Sequence, residues 1–153
     1  GGVVEVRATG LPVGLGEPFF DSIESVVAHA GFSVPAVKGV EFGAGFRAAR
    51  MRGSEHNDPF YWVGHRVATR TNHAGGILGG LATGMPLQVR FAVKPTSSIA
   101  RPQATVDLQQ HTDTTIVVTG RHDPCIVPRA VVVLESVTAM ALADLGLRGG
   151  FLP

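Results

Sequence analysis

Three stretches carry the residues whose types and spacing could do chemistry. Gly120-Arg121-His122-Asp123-Pro124-Cys125 sets an anion clamp, a proton donor and a base in consecutive positions. Pro124 holds the residue before it extended, which favours a fixed site over a floppy one. A surface ion pair, worth little, is the plain alternative. Metal ligation by His122, Asp123 and Cys125 fits poorly, because no other His or Cys stands at a ligand spacing, and no metal is expected. Lys94-Pro95-Thr96-Ser97-Ser98 offers a cation, three hydroxyls and backbone amides, suited to a phosphate or the polar edge of a cofactor. A solvated turn whose Ser and Thr bond their own backbone suits these residues equally well. The third stretch runs from Asn72 to Gly80, with Gly75, Gly76, Gly79 and Gly80 in six positions. Such glycines let backbone approach something flat or charged, although turns explain most such runs. The spacing fails the G-x-G-x-x-G dinucleotide fingerprint.

Elements that could position these stretches follow from periodicity. Val3 to Thr9 alternates as a half-buried strand, and Leu87 to Val93 places Leu87, Val89, Phe91 and Val93 on one face, directly before Lys94. A short strand is expected near Ala36 to Phe42, and another β segment from Thr114 to Thr119. Pro18 suits a first helical position, with Phe19, Ile23, Val26, Val27 and Ala30 at helical spacing and Gly31 as the stop. A helix is expected from about Ala44 to Arg52. Pro128 opens the longest helix, which Gly146 ends, with Val133, Val137, Met140, Ala141 and Asp144 on one face. Strands and helices mix without regular βαβ alternation, so the class is α+β.

The chain has 153 residues, enough for a single domain over 1–153. Thirteen Lys+Arg against twelve Asp+Glu leave a charge of +1, and no like-charge run suggests a nucleic-acid surface. One cysteine excludes an internal disulfide framework and suits a reducing, cytoplasmic compartment. The uninterrupted apolar run around Val131 to Leu134 is far below the roughly 20 residues of a membrane span, so no membrane association is expected. The charged fraction is only 16%, with 20 glycines and 10 prolines, and mean hydropathy is +0.23. A chain so poor in charge is expected to hide part of its surface against a partner. It opens on Gly1-Gly2-Val3-Val4 rather than Met, and reads as a piece of something longer.

Taken together, the motifs resemble chorismate synthase along nearly the whole chain. The match takes in Gly10-Leu11-Pro12-Val13-Gly14-Leu15-Gly16-Glu17-Pro18 and Pro35-Ala36-Val37-Lys38-Gly39-Val40-Glu41-Phe42-Gly43. It continues through Met51-Arg52-Gly53-Ser54-Glu55-His56-Asn57-Asp58, the glycine stretch, Lys94 to Ser98, and Gly120 to Cys125. The chain looks like the C-terminal half of the family's length. The family's Gly-Glu-Ser-His-Gly and Arg-Pro-Gly-His motifs, each with a catalytic histidine, do not occur in it. Phe60 to Thr71 looks longer than the family's usual connection.

The resemblance implies a β-α-β sandwich in which antiparallel sheets enclose helices, this chain supplying one of two similar halves. It implies a lyase that converts 5-enolpyruvylshikimate 3-phosphate to chorismate and phosphate, a 1,4-trans elimination in aromatic amino-acid biosynthesis. That reaction uses reduced FMN without net redox change, with NADPH as a possible reductant. Carried over residue by residue, Gly79, Lys94, Pro95, Thr96, Ser97, Ser98 and Arg121 fall where the family binds FMN, and Ala36 joins them as a weaker candidate. Asp123 matches the family's proposed proton acceptor, and Arg121 could face both flavin and substrate. A homotetramer is implied for the full-length enzyme, and this chain alone is expected to be inactive. The alternative is a non-catalytic FMN- or phosphate-binding or oligomerisation module derived from that enzyme.

Overall fold

The computed structural model describes all 153 residues. In chain order the elements are β1 (Gly2–Ala8), α1 (Ile23–Phe32), β2 (Val37–Phe42), a 3-10 turn (Gly45–Arg50), α2 (Gly53–His56), β3 (Phe60–Val63), β4 (Arg66–Thr69), β5 (Ile77–Leu78), β6 (Leu81–Ala82), β7 (Leu87–Val93), β8 (Gln103–Asp107), β9 (Thr112–Ile116) and α3 (Val127–Arg148). The α+β class holds.

One three-stranded antiparallel sheet, ordered β1-β7-β2, organises the molecule. The alternation in Leu87–Val93 works as expected: Leu87, Val89, Phe91 and Val93 are buried, while Gln88 and Arg90 lie on the other face. The register pairs Gly2 with Val93 on one side and Val37 with Val93 on the other, so both neighbours begin where β7 ends. On the polar face, Arg90 bridges to Glu41 at 2.9 Å, and Gln88 donates to Glu5 at 3.0 Å. That bond first, then Arg7, holds the Glu5 carboxyl below its ordinary range. On the apolar face lie α1 and α3, and the core joins Val4, Ile23, Val27, Phe91, Leu134 and Leu145 among 15 buried residues.

Several helix boundaries differ from expectation. Helix α1 starts at Ile23 rather than at Pro18, because Ser22 caps it: its hydroxyl accepts from the Ser25 N–H at 3.2 Å, while the Gly80 carbonyl accepts from Ile23 N–H. Gly31 does not stop the helix. It sits within α1 because any side chain there would strike the Phe91 ring. Gly146 is likewise interior to α3, where an added Cβ would lie 2.8 Å from Leu152. The Ala44–Arg52 segment is a 3-10 turn followed by the short α2. The Thr114–Thr119 strand is realised as β9, which starts two residues earlier and ends three earlier.

The buried face of α3 is also rotated. It consists of Leu134, Thr138, Ala141, Leu142, Leu145 and Gly146, while Val133 and Met140 face outward. By length and composition α3 could cross a membrane, which a search for unbroken apolar runs overlooks. Here its inner face packs on α1 and β1, and the Thr138 hydroxyl donates to the Leu134 carbonyl at 2.7 Å. Val132 and Met140 on the far side are each 62% exposed, and no second sheet covers them within this chain.

Candidate functional site

The chain leaves β7 at Lys94 with its backbone already committed. The Lys94 N–H donates to the Ala36 carbonyl at 2.9 Å, which joins two predicted cofactor residues at one end of the sheet. Ala36 has φ +74°, a left-handed conformation unusual for a residue bearing a Cβ. Gly1 and Gly2 fill the neighbouring position. A Cβ on Gly1 would lie 3.0 Å from the Pro95 ring, and one on Gly2 would lie 3.2 Å from Val127. Pro95, in the Lys94–Ser98 segment, thus lies beside Gly1, and Val127, at the start of α3, lies beside Gly2.

At that end the polar side chains are unspent. Lys94 and Ser97 are exposed, Thr96 and Ser98 half-buried, and none of the four side chains enters a hydrogen bond or ion pair. The turn in which these hydroxyls cap their own backbone does not form. The donor set is free, as a phosphate or flavin edge requires.

The 120–125 stretch is arranged differently from its sequence order. Arg121 and His122 are exposed, and Asp123, half-buried, pairs with Arg129 at 3.0 Å rather than with Arg121. Sequence reasoning missed Arg129. A signal existed: a cation in the first turn of α3, which holds no acidic residue, opposes the helix dipole and needs a nearby anion. Cys125 is exposed, not packed as a small hydrophobe.

The glycine stretch behaves mainly as scaffold. A Cβ on Gly75 would stand 2.5 Å from the Gly43 nitrogen, one on Gly76 2.5 Å from the Pro86 carbonyl, and one on Gly80 2.8 Å from Ser22. Two of the four glycines thus admit other backbone and a third admits a side chain, none of them a ligand. Only Gly79 faces open space, and with φ +59° it forms, together with Gly80, the turn between β5 and β6. In the chain Gly79 precedes β7 and Lys94 follows it directly. The structure joins Ala36 to Lys94 through one backbone hydrogen bond and sets Pro95 and Val127 beside Gly1 and Gly2, while Gly79 lies in the β5–β6 turn.

A buried corner holds the glycine stretch in place. Asp58, its side chain 5% exposed, accepts from the Thr71 hydroxyl (2.6 Å), the His73 N–H (2.8 Å) and the Ala74 N–H (2.9 Å). Burial alone would raise its carboxyl, but these three bonds, led by Thr71, outweigh burial and hold it below the ordinary value. The His73 Nδ1 lies 3.5 Å from Asp58, buried and without a hydrogen-bond partner, and its ring centre is 5.9 Å from that of His56.

The chorismate synthase family profile matches residues 1–147. A chorismate synthase of Dehalococcoides mccartyi is 57% identical over all of this chain and 42% of its own length. One from Korarchaeum cryptofilum is 59% identical over 94% of this chain and 40% of its own. A solved structure, "Crystal Structure of Chorismate Synthase", superposes with a TM-score of 0.77 at 35% identity, covering 97% of this chain and 38% of that one. The chain thus spans about two-fifths of the length of the relatives it matches. With its profile match, its sequence identities and its superposed fold in agreement, this chain belongs to the chorismate synthase family.

Proposed function

We propose that this chain is the flavin-holding and proton-abstracting C-terminal portion of a cytoplasmic chorismate synthase. The full-length enzyme, a homotetramer, converts 5-enolpyruvylshikimate 3-phosphate to chorismate and phosphate. The observation that carries this reading is the unspent donor set at the end of β7, whose first residue is fixed by the Ala36 carbonyl. Lys94, Thr96, Ser97 and Ser98, with Pro95 and Ala36 shaping the backbone, would hold FMN, and Arg121 would add a cation at its edge. Bound there and reduced, with NADPH as a source of electrons, FMN would supply electron density to the departure of phosphate without net redox change. Asp123 takes the ring proton, and Arg129, 3.0 Å away, keeps its carboxylate oriented. Overall the substrate loses one proton and one phosphate. Gly79 contributes least to this reading, since the turn already demands a glycine there.

A second reading, a non-catalytic FMN-binding or oligomerisation module, is favoured by the uncovered Val132 and Met140. One experiment separates the two. The 153-residue chain and its full-length parent are each mixed with reduced FMN and substrate, and chorismate absorbance is followed. The expected result is FMN binding by both and turnover only by the parent. Failure of the parent to bind FMN would overturn the assignment, and turnover by this chain alone would overturn its inactivity.

A further inference from the structure

The cleft between the β3–β4 and β5–β6 hairpins plays no part in the reading above: none of Ala36, Lys94–Ser98, Arg121 or Asp123 lines it. Its volume is about 720 Å³, within the range of small-molecule sites. Phe60 and Val67 form one wall, Leu78 and Leu81 the other, and Val13 the rim. Arg66 is the one charged residue in the lining, and it takes part in none of the chain's six ion pairs.

We propose that this cleft binds an aromatic monocarboxylate, its ring between the apolar walls and its carboxylate on the Arg66 guanidinium. The chemistry of the lining selects the class. A planar guanidinium pairs two-pronged with a carboxylate, and Phe60 favours a flat ring over a flexible chain. With a single cation present, a polyphosphate would leave charge unmet.

The walls are held before any ligand arrives. A two-stranded hairpin is marginal alone, but β4 ends at Thr69, which is buried and whose hydroxyl donates to the Thr71 carbonyl. Thr71 in turn donates to Asp58 at 2.6 Å, which fastens the hairpin to the glycine stretch and hence to β5. On the rim, Gly84 has φ +84°, and a Cβ there would lie 3.0 Å from Val13, so only glycine leaves the opening its present shape.

The test titrates the 153-residue chain with 2-naphthoate and, as an uncharged control, 2-naphthalenemethanol, following ligand fluorescence and the backbone amides by NMR. Saturable binding of the acid is expected, with amide shifts centred on Phe60, Arg66 and Leu78. Arg66→Gln should weaken the acid about tenfold, the loss of one charge-assisted contact, and leave the alcohol unchanged, while Arg66→Lys recovers part of the loss. Equal affinity of wild type and Arg66→Gln for the acid would overturn the proposal. So would amide shifts centred elsewhere, or acid binding that disappears as the chain self-associates, which would assign the cleft to contact between copies. Because no residue of the proposed FMN site lines the cleft, these outcomes do not depend on flavin binding.

Discussion

At one corner of the molecule Asp58, with 5% of its side chain exposed, accepts from Thr71, His73 and Ala74, so that a carboxylate, a hydroxyl and two backbone amides are all consumed by the fold. Beyond the far end of β7, Lys94, Thr96, Ser97 and Ser98 offer comparable groups and satisfy none of them internally. As sequence, the glycine stretch that this corner holds and the Lys94 segment both stand among the stretches that could do chemistry. The first, His73 Nδ1 apart, pairs its polar groups because burial would otherwise cost about 1–3 kcal/mol for each one left unsatisfied. The second can leave its groups open because water satisfies them until a ligand does. Polar residues committed to one another mark scaffold, and polar residues held beside a fixed backbone without partners mark a site.

The largest expected effect tests the open region. In the full-length parent, Asp123→Asn removes the base at constant shape, and turnover should fall by about 10²- to 10⁴-fold, the usual contribution of a positioned general base. Its only partner is Arg129, 79% exposed, so stability should stay within about 0.5 kcal/mol of wild type. Chorismate formation and urea unfolding measure the two separately. Unchanged turnover would place Asp123 with the scaffold and erase the contrast.

Asp58→Asn should do the reverse. It weakens bonds from three donors to a nearly buried charge, and stability should fall by about 2–3 kcal/mol with FMN affinity preserved. A carboxyl held below its ordinary value of 3.8 supplies stability that is complete above that value and is lost as pH falls below it. The gap between wild type and Asp58→Asn, from urea midpoints across pH 7 to 3, should therefore close at the acid end. A gap independent of pH would mean that the carboxylate charge is not what holds the corner.

Local pattern made part of this legible. The alternation in β7, the Lys94 segment directly after it and Pro128 at the head of α3 need only neighbours in sequence. Gly31 and Gly146 misled because a glycine late in a helix reads equally as a stop or as room for a neighbour, and the neighbours, Phe91 and Leu152, are set by the tertiary fold. Arg129 was hidden by the same blindness to side-chain geometry, although its unfavourable place in a helix's first turn hinted at an anion. The glycine stretch looked like a ligand loop because sequence cannot say whether close approach is to a cofactor or to backbone. The resemblance, carried over residue by residue, groups Gly79 with Lys94, a pairing that no local pattern in the sequence could supply.

Lys94→Ala sharpens the contrast further. The side chain is exposed and unpaired, so its removal should leave stability within about 0.5 kcal/mol while weakening FMN about tenfold, as expected for one charge-assisted contact. Fluorescence quenching of FMN and urea unfolding report the two quantities. Equal FMN affinity before and after would remove Lys94 from the site.

The smallest effect concerns the backbone beneath Lys94. Ala36 sits at φ +74°, where a Cβ crowds the following carbonyl and costs about 1–2 kcal/mol. Its carbonyl must nonetheless hold that orientation to accept the Lys94 N–H at 2.9 Å, which fixes where the open loop begins. Ala36→Gly relieves the crowding but gives the unfolded chain more freedom, which takes back about 0.5–1 kcal/mol. The net gain should be about 0.5–1 kcal/mol, seen as a higher urea midpoint with an unchanged slope. If stability falls instead, the left-handed turn at Ala36 is not strained. The backbone at the open end would then be as settled as that at the Asp58 corner, and the two regions would differ only in their side chains.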